Sequence, residues 1–217
     1  MINKISRLEL MLFFSLTFGM FLLAIRIYVS ESLMYVFYAW NLFLAAIPLL
    51  LSRSLLYQRR ISFKAGLMLF GWLLFFPNAP YIITDIFHFK ERSPIPTWFD
   101  LLLVTSAAWN GLILGLVSLM NIETFLIRHF LLKQVRLFVI ISLAAGSFGI
   151  YLGRFLRFNS WNVITHPEVI IKAIGMRVIH PFEHTRTWGF TVLFAVFISL
   201  IYYTLKQLPA LHLKQRS

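Results

Sequence analysis

Three groups of polar residues interrupt otherwise apolar stretches of the chain, and each has a spacing with chemical meaning. The first lies in Phe76-Pro77-Asn78-Ala79-Pro80-Tyr81-Ile82-Ile83-Thr84-Asp85-Ile86-Phe87-His88. If helix resumes after Pro80, then Tyr81, Thr84, Asp85 and His88 share one face at i, i+3, i+4 and i+7. A carboxylate three residues before an imidazole can orient the ring and raise its basicity, or the two side chains can supply two metal ligands. Asp85 and His88 are therefore the candidate catalytic pair, with Asn78 and Tyr81 as candidate ligand contacts. The competing reading is a helix end with solvated polar side chains.

The second group is Tyr151-Leu152-Gly153-Arg154-Phe155-Leu156-Arg157-Phe158-Asn159-Ser160-Trp161-Asn162. Arg154 and Arg157 are one helical turn apart, so on a continuous helix two guanidiniums would clamp a phosphate or carboxylate from one face. Asn159, Ser160 and Trp161 would complete a headgroup pocket. The alternative is anchoring, with arginines reaching lipid phosphates and Trp161 in an aromatic belt.

The third group is Thr105, Ser106 and Asn110, followed by Gly111 and Gly115 in a G-x-x-x-G pattern that recurs at Gly149 and Gly153. Small residues at this spacing let membrane helices approach closely, so both pairs read as packing faces, and Asn110, costly unless hydrogen-bonded, faces either a neighbouring helix or the cavity, with the helix preferred. Thr97-Trp98-Phe99-Asp100 fits a capping box. Asp100 thus caps a helix or joins Asp85 and His88. Arg26 is expected to reach out to headgroups. His180-Pro181-Phe182-Glu183-His184 matches the H-x-x-E-H pattern of zinc peptidases. That chemistry needs both histidines on one unbroken turn plus a further acidic ligand, but Pro181 would start a helix and no Asp or Glu follows Glu183, so no metal site is assigned.

The elements that must carry these groups follow from composition. The 217 residues are 59% hydrophobic, 17% aromatic and 13% charged, against about 25% charged in soluble chains. This excludes a water-soluble enzyme, a disordered tail and a collagen; the absence of cysteine excludes disulfides and thiolate chemistry. The net charge of +12 fits basic loops beside anionic lipid rather than nucleic acid. A hydrocarbon core of about 30 Å takes about 20 helical residues. Six runs reach or approach that length: Leu8 to Val29, Ser32 to Ser52, Ala65 to Thr84, Leu101 to Ile122, Leu137 to Gly153 and Thr187 to Leu205. Lacking the alternation of barrel strands, they predict an all-α integral membrane protein, a bundle of about six transmembrane helices forming one domain over residues 1–217.

The first run outlasts a signal core and reads as an uncleaved anchor. With both termini cytoplasmic in an inner membrane, most basic residues fall inside. Pro77 and Pro80 allow a rival in which the third run is re-entrant, and the charge rule does not separate the two. The uncharged length there favours full crossing. Either way the break lies near membrane depth, where irregular backbone must be buried in protein or line a wet cavity. After Pro167, Ile170, Ile171, Ile174 and Val178 recur at helical spacing. They predict a short helix that either lies in the interface or packs on the bundle.

Together, Phe-Pro-Asn-Ala-Pro-Tyr-Ile-Ile-Thr-Asp at 76–85 and Gly-Arg-Phe-Leu-Arg-Phe-Asn-Ser-Trp at 153–161 resemble an uncharacterised family of bacterial polytopic membrane proteins, catalogued as a domain of unknown function. The resemblance covers nearly the whole chain and implies a small polytopic membrane protein. It implies no substrate, cofactor or catalytic residue. Its motif positions would be Asn78, Tyr81, Asp85, Arg154, Arg157, Asn159, Ser160 and Trp161.

With the third run crossing fully, both motifs face the outer leaflet and are expected to converge on one site. The leading expectation is binding of an anionic headgroup or lipid-linked phosphate: Arg154 and Arg157 for charge, Asn78 and Asn159 for orientation, Trp161 for the apolar part. The second is a membrane-embedded hydrolase or transferase with His88, oriented by Asp85, as general base. The third is a structural or accessory subunit whose polar residues bond between helices. Membrane lipids are the expected partners, nucleic acid is not, and the residues name no cofactor.

Overall fold

Lipid offers a backbone no hydrogen-bond partners, so a chain of apolar runs has to satisfy itself by helix. The computed structural model describes residues 7–88 and 94–214, with the side chains at 88 and 209–214 outside that description. The described residues form α1 (Arg7–Ser30), α2 (Phe37–Leu56), α3 (Phe63–Phe75), α4 (Asn78–Tyr81), a 3-10 helix (Ile82–His88), α5 (Thr97–Ile127), α6 (Leu132–Leu156), α7 (Asn162–Thr165), α8 (Pro167–Ile179) and α9 (Thr185–Lys214). Six stretches among them are long and apolar enough to cross a membrane, with Phe63–Phe87 counted as one. The molecule is an all-α, multi-pass membrane protein, and the apolar surface of its spans contacts lipid.

The spans fall where the uncharged runs predict, with one shift. The second run starts at Ser32, whereas α2 starts at Phe37, because Glu31 closes α1 in the left-handed region (φ 50°) and a turn intervenes. The third run contains the Pro77–Pro80 break. Prolines remove two backbone donors there, and local bonds cover the gap: Ala79 N–H donates to Phe76 O (3.2 Å), Tyr81 N–H to Pro77 O (3.0 Å) and Asn78 Nδ2 to Phe75 O (3.0 Å).

The chain divides into two compact units, Met1–Ile122 and Glu123–Ser217. In the first, residues of α1, α2, α4, the 3-10 helix and α5 share one core that includes Leu22, Tyr38, Ala45, Ala79, Ile82, Leu103 and Leu114. The G-x-x-x-G of α5 is the seat of the proline break. A Cβ at Gly111 would fall 2.5 Å from Ala79 O and 2.8 Å from Ile82 Cδ1, and one at Gly115 2.9 Å from Ala79 Cβ. Only glycine allows that approach. Trp72 Nε1 donates to Ser118 Oγ (3.0 Å), fastening α3 to α5, and Asn110 Nδ2 donates to Ser15 O (3.2 Å) and Ser106 O (2.9 Å), fastening α5 to α1.

In the second unit α6 packs along α9. Their contact is aromatic: Phe148 stacks on Trp188 (5.6 Å), and Tyr151, Phe155 and Phe190 meet at 4.8–5.9 Å. Glu123 is clasped by α9, accepting from Tyr202 Oη and, at 2.7 Å on each carboxylate oxygen, from Lys206 Nζ. The predicted short helix is α8. It is fixed by buried Ile170 and by Trp188 Nε1 donating to Arg177 O (3.0 Å), while Ile171, Val178 and Ile179 stay exposed. An apolar row exposed on a helix too short to span suits the membrane interface.

Candidate functional site

One end of the first unit gathers its polar groups where α1 finishes, α2 and α5 begin, and the 3-10 helix lies. Arg26 is four residues from the end of α1, so its guanidinium meets the first turn of α5. Nε lies 3.1 Å from Asp100 Oδ1 and Nη2 3.3 Å from Oδ2; Nη1 donates to Ser30 Oγ at 2.7 Å, and the guanidinium carbon sits 4.2 Å from the Tyr35 ring centre. These side chains are 3% and 1% exposed. Both expectations for these residues are corrected: Arg26 does not reach headgroups, and Asp100 serves an ion pair rather than a cap. At membrane depth a charge is held by a partner.

Asp85, also buried, accepts from Asn41 Nδ2 at 3.2 Å. Segment 82–88 is a 3-10 helix, which turns every three residues, so the register differs from an α-helical stripe. In sequence, position 88 follows Asp85 by three residues, one 3-10 turn. Tyr81 belongs to α4 and Thr84 is buried, with its hydroxyl donating to Tyr81 O at 2.6 Å. The expected α-helical face for Tyr81, Thr84 and Asp85 does not form. The His88 side chain lies outside the described residues. Asn78 spends one amide hydrogen on the proline break.

The second unit carries the arginine motif. Arg154 lies in the last turn of α6, but the helix ends at Leu156 and Arg157 adopts a left-handed conformation (φ 61°, ψ 29°), its N–H donating to Leu152 O. The expected common face for Arg154 and Arg157 does not form, because Arg157 has left the helix. A non-glycine residue in this conformation costs about 1–2 kcal/mol. The chain then folds on itself. Asn159 N–H donates to Asn162 Oδ1 (2.7 Å) and Asn162 N–H returns to Asn159 O (2.9 Å), leaving Arg157, Asn159 and Trp161 exposed.

A further cation belongs to this end. Arg186, in the first turn of α9, places its guanidinium carbon 5.1 Å from the Phe155 ring centre. The antiparallel run of α6 and α9 brings the start of one beside the end of the other, a signal present in the spacing of the two runs. Arg154, Arg157 and Arg186 therefore belong to one end of this unit, together with Lys172 and Arg177 of α8 and with Glu168 and Glu183 as exposed acids on the intervening chain. Trp161 and Phe155 belong to the same stretch of chain.

The H-x-x-E-H pattern holds no metal geometry. α8 ends at Ile179, 181–184 form a turn, and α9 starts at Thr185, so Pro181 starts no helix and the histidines share none. Among the described residues no group of three or more His, Cys, Asp or Glu could hold a metal ion.

No curated protein and no solved structure matches the chain. A family model described as Protein of unknown function (DUF1361) matches residues 40–201, and the chain belongs to that family.

Proposed function

We propose that this member of the family binds an anionic lipid headgroup or lipid-linked phosphate at the exoplasmic face, through Arg154, Arg157, Asn159 and Trp161. Arg186 is added to that set. The observation that carries the reading is Arg157: a long cation kept in a strained left-handed position, exposed, at an end of the unit that also holds Arg154 and Arg186. Glycine would hold that position at lower conformational cost. Guanidiniums suit phosphate because their donors pair with two oxygens at once.

The test is lipid binding by the purified chain, read by native mass spectrometry with phosphatidylglycerol as the probe. Arg157→Ala is expected to lose the bound lipid while expression is unchanged, and equal retention would remove the proposal. Orientation is tested in the cysteine-free background: Asn162→Cys is expected to label with a membrane-impermeant maleimide in intact cells, and Ser54→Cys to stay unlabelled. Labelling of Ser54→Cys alone would turn the site inward.

A second reading, a hydrolase or transferase with His88 as base, is favoured by one observation, the burial of Asp85 against Asn41 one 3-10 turn before position 88. It predicts that His88→Ala abolishes turnover of a lipid-linked substrate and preserves its binding. If the same substitutions misfold the chain instead, the polar residues belong to a structural or accessory subunit.

A further inference from the structure

About 25 Å along α1 from Arg26, the other end of the first unit holds a cleft of about 200 Å³ between α1, α2 and α5. Its walls are mostly leucines, Leu12, Leu49 and Leu56 among them, with Val117, and its polar lining is Glu9, Arg53, Tyr57 and Asn121. Arg53 Nη1 lies 3.0 Å from Glu9 Oε1, with the two side chains 39% and 29% exposed. Asn121 Nδ2 donates to Ser52 Oγ at 3.3 Å, which steadies the amide on the α5 wall.

The volume is below the 300–1,000 Å³ typical of drug-sized ligand pockets and is several times the roughly 30 Å³ share of a water. It suits a small polar group with a few methylenes. Both signs of charge stand together at the cleft, about a third exposed, where an ion pair contributes little to stability and opens readily. A headgroup bearing one cation and one anion can part the pair and satisfy both members without changing the net charge. An anionic headgroup would set its phosphate against the Glu9 carboxylate, and a purely cationic amphiphile would meet Arg53.

We propose that this cleft is a binding site for a zwitterionic aminophospholipid, its ammonium on Glu9, its phosphate on Arg53 and its first methylenes along the leucine wall. The site shares no residue with the arginine end, so the two proposals fail separately.

The test uses the full chain in detergent, offered equal amounts of phosphatidylethanolamine and phosphatidylglycerol and read by native mass spectrometry, with the melting temperature of each variant as the folding check. Wild type is expected to retain phosphatidylethanolamine, and Glu9→Gln and Arg53→Gln each to lose at least fivefold of it. The double swap Glu9→Arg with Arg53→Glu is expected to retain it, because a zwitterion can turn round. Retention of the anionic lipid only, or unchanged phosphatidylethanolamine in folded Glu9→Gln, would overturn the assignment.

Discussion

Arg26 Nε lies 3.1 Å from Asp100 Oδ1, 74 positions away in sequence, and the two side chains are 3% and 1% exposed. This pair joins the end of the first span to the start of the fourth. Removing one member of a buried pair leaves the other charge uncompensated, at a cost of about 3–5 kcal/mol. Asp100→Asn and Arg26→Gln should each lower the melting temperature in detergent sharply. The double replacement Arg26→Met with Asp100→Leu should recover most of the loss. Single variants that melt like wild type would show that the pair does not hold the helices.

Gly111 carries the proline break of the third span. Gly111→Ala sets a methyl against a backbone carbonyl 2.5 Å away, which cannot swing aside as a side chain can. Overpacking of this kind costs about 1–3 kcal/mol. Gly71→Ala meets its nearest atom at 3.5 Å and should be neutral. A thermal-shift comparison of the two variants reads the difference directly, and equal melting would contradict the close approach.

Glu123 depends on α9. Tyr202→Phe removes a donor to a buried carboxylate and should cost about 1.5–3 kcal/mol, the range for hydrogen bonds to charged groups. Lys206 still holds both carboxylate oxygens in that variant. Chemical denaturation should show a lower midpoint for Tyr202→Phe than for Tyr203→Phe, whose ring is more exposed.

The spans were legible because length without charge is a one-dimensional signal and lipid leaves helix as the answer. The packing role of Gly111 and Gly115 was legible from spacing alone, although only the structure identifies Ala79 and Ile82 as what they admit. The ion pair was not legible as a pair. Near a span's end, Arg26 reads as a residue that reaches water, and Asp100 behind Thr97 reads as a cap, since local explanations suffice for each. The usable signal was joint: two opposite charges, each one turn inside a helix end that alternating spans bring to the same side. Arg154 and Arg157 stand out by residue type, but a continuous helix would put Arg157 in the wrong place, because a left-handed turn at a non-glycine residue has no sequence signature here. Likewise the stripe from Tyr81 to His88 assumed α-helix where the two prolines lead into 3-10 geometry.

The central claim is that Arg157 is kept in its left-handed position for binding, and Arg157→Gly separates binding from stability. Glycine relieves the conformational cost, so the variant should gain about 1 kcal/mol of stability. It should also lose retained phosphatidylglycerol by an order of magnitude or more. A variant that is more stable and binds the lipid as wild type does would contradict the account, leaving Arg157 as a helix end and nothing further.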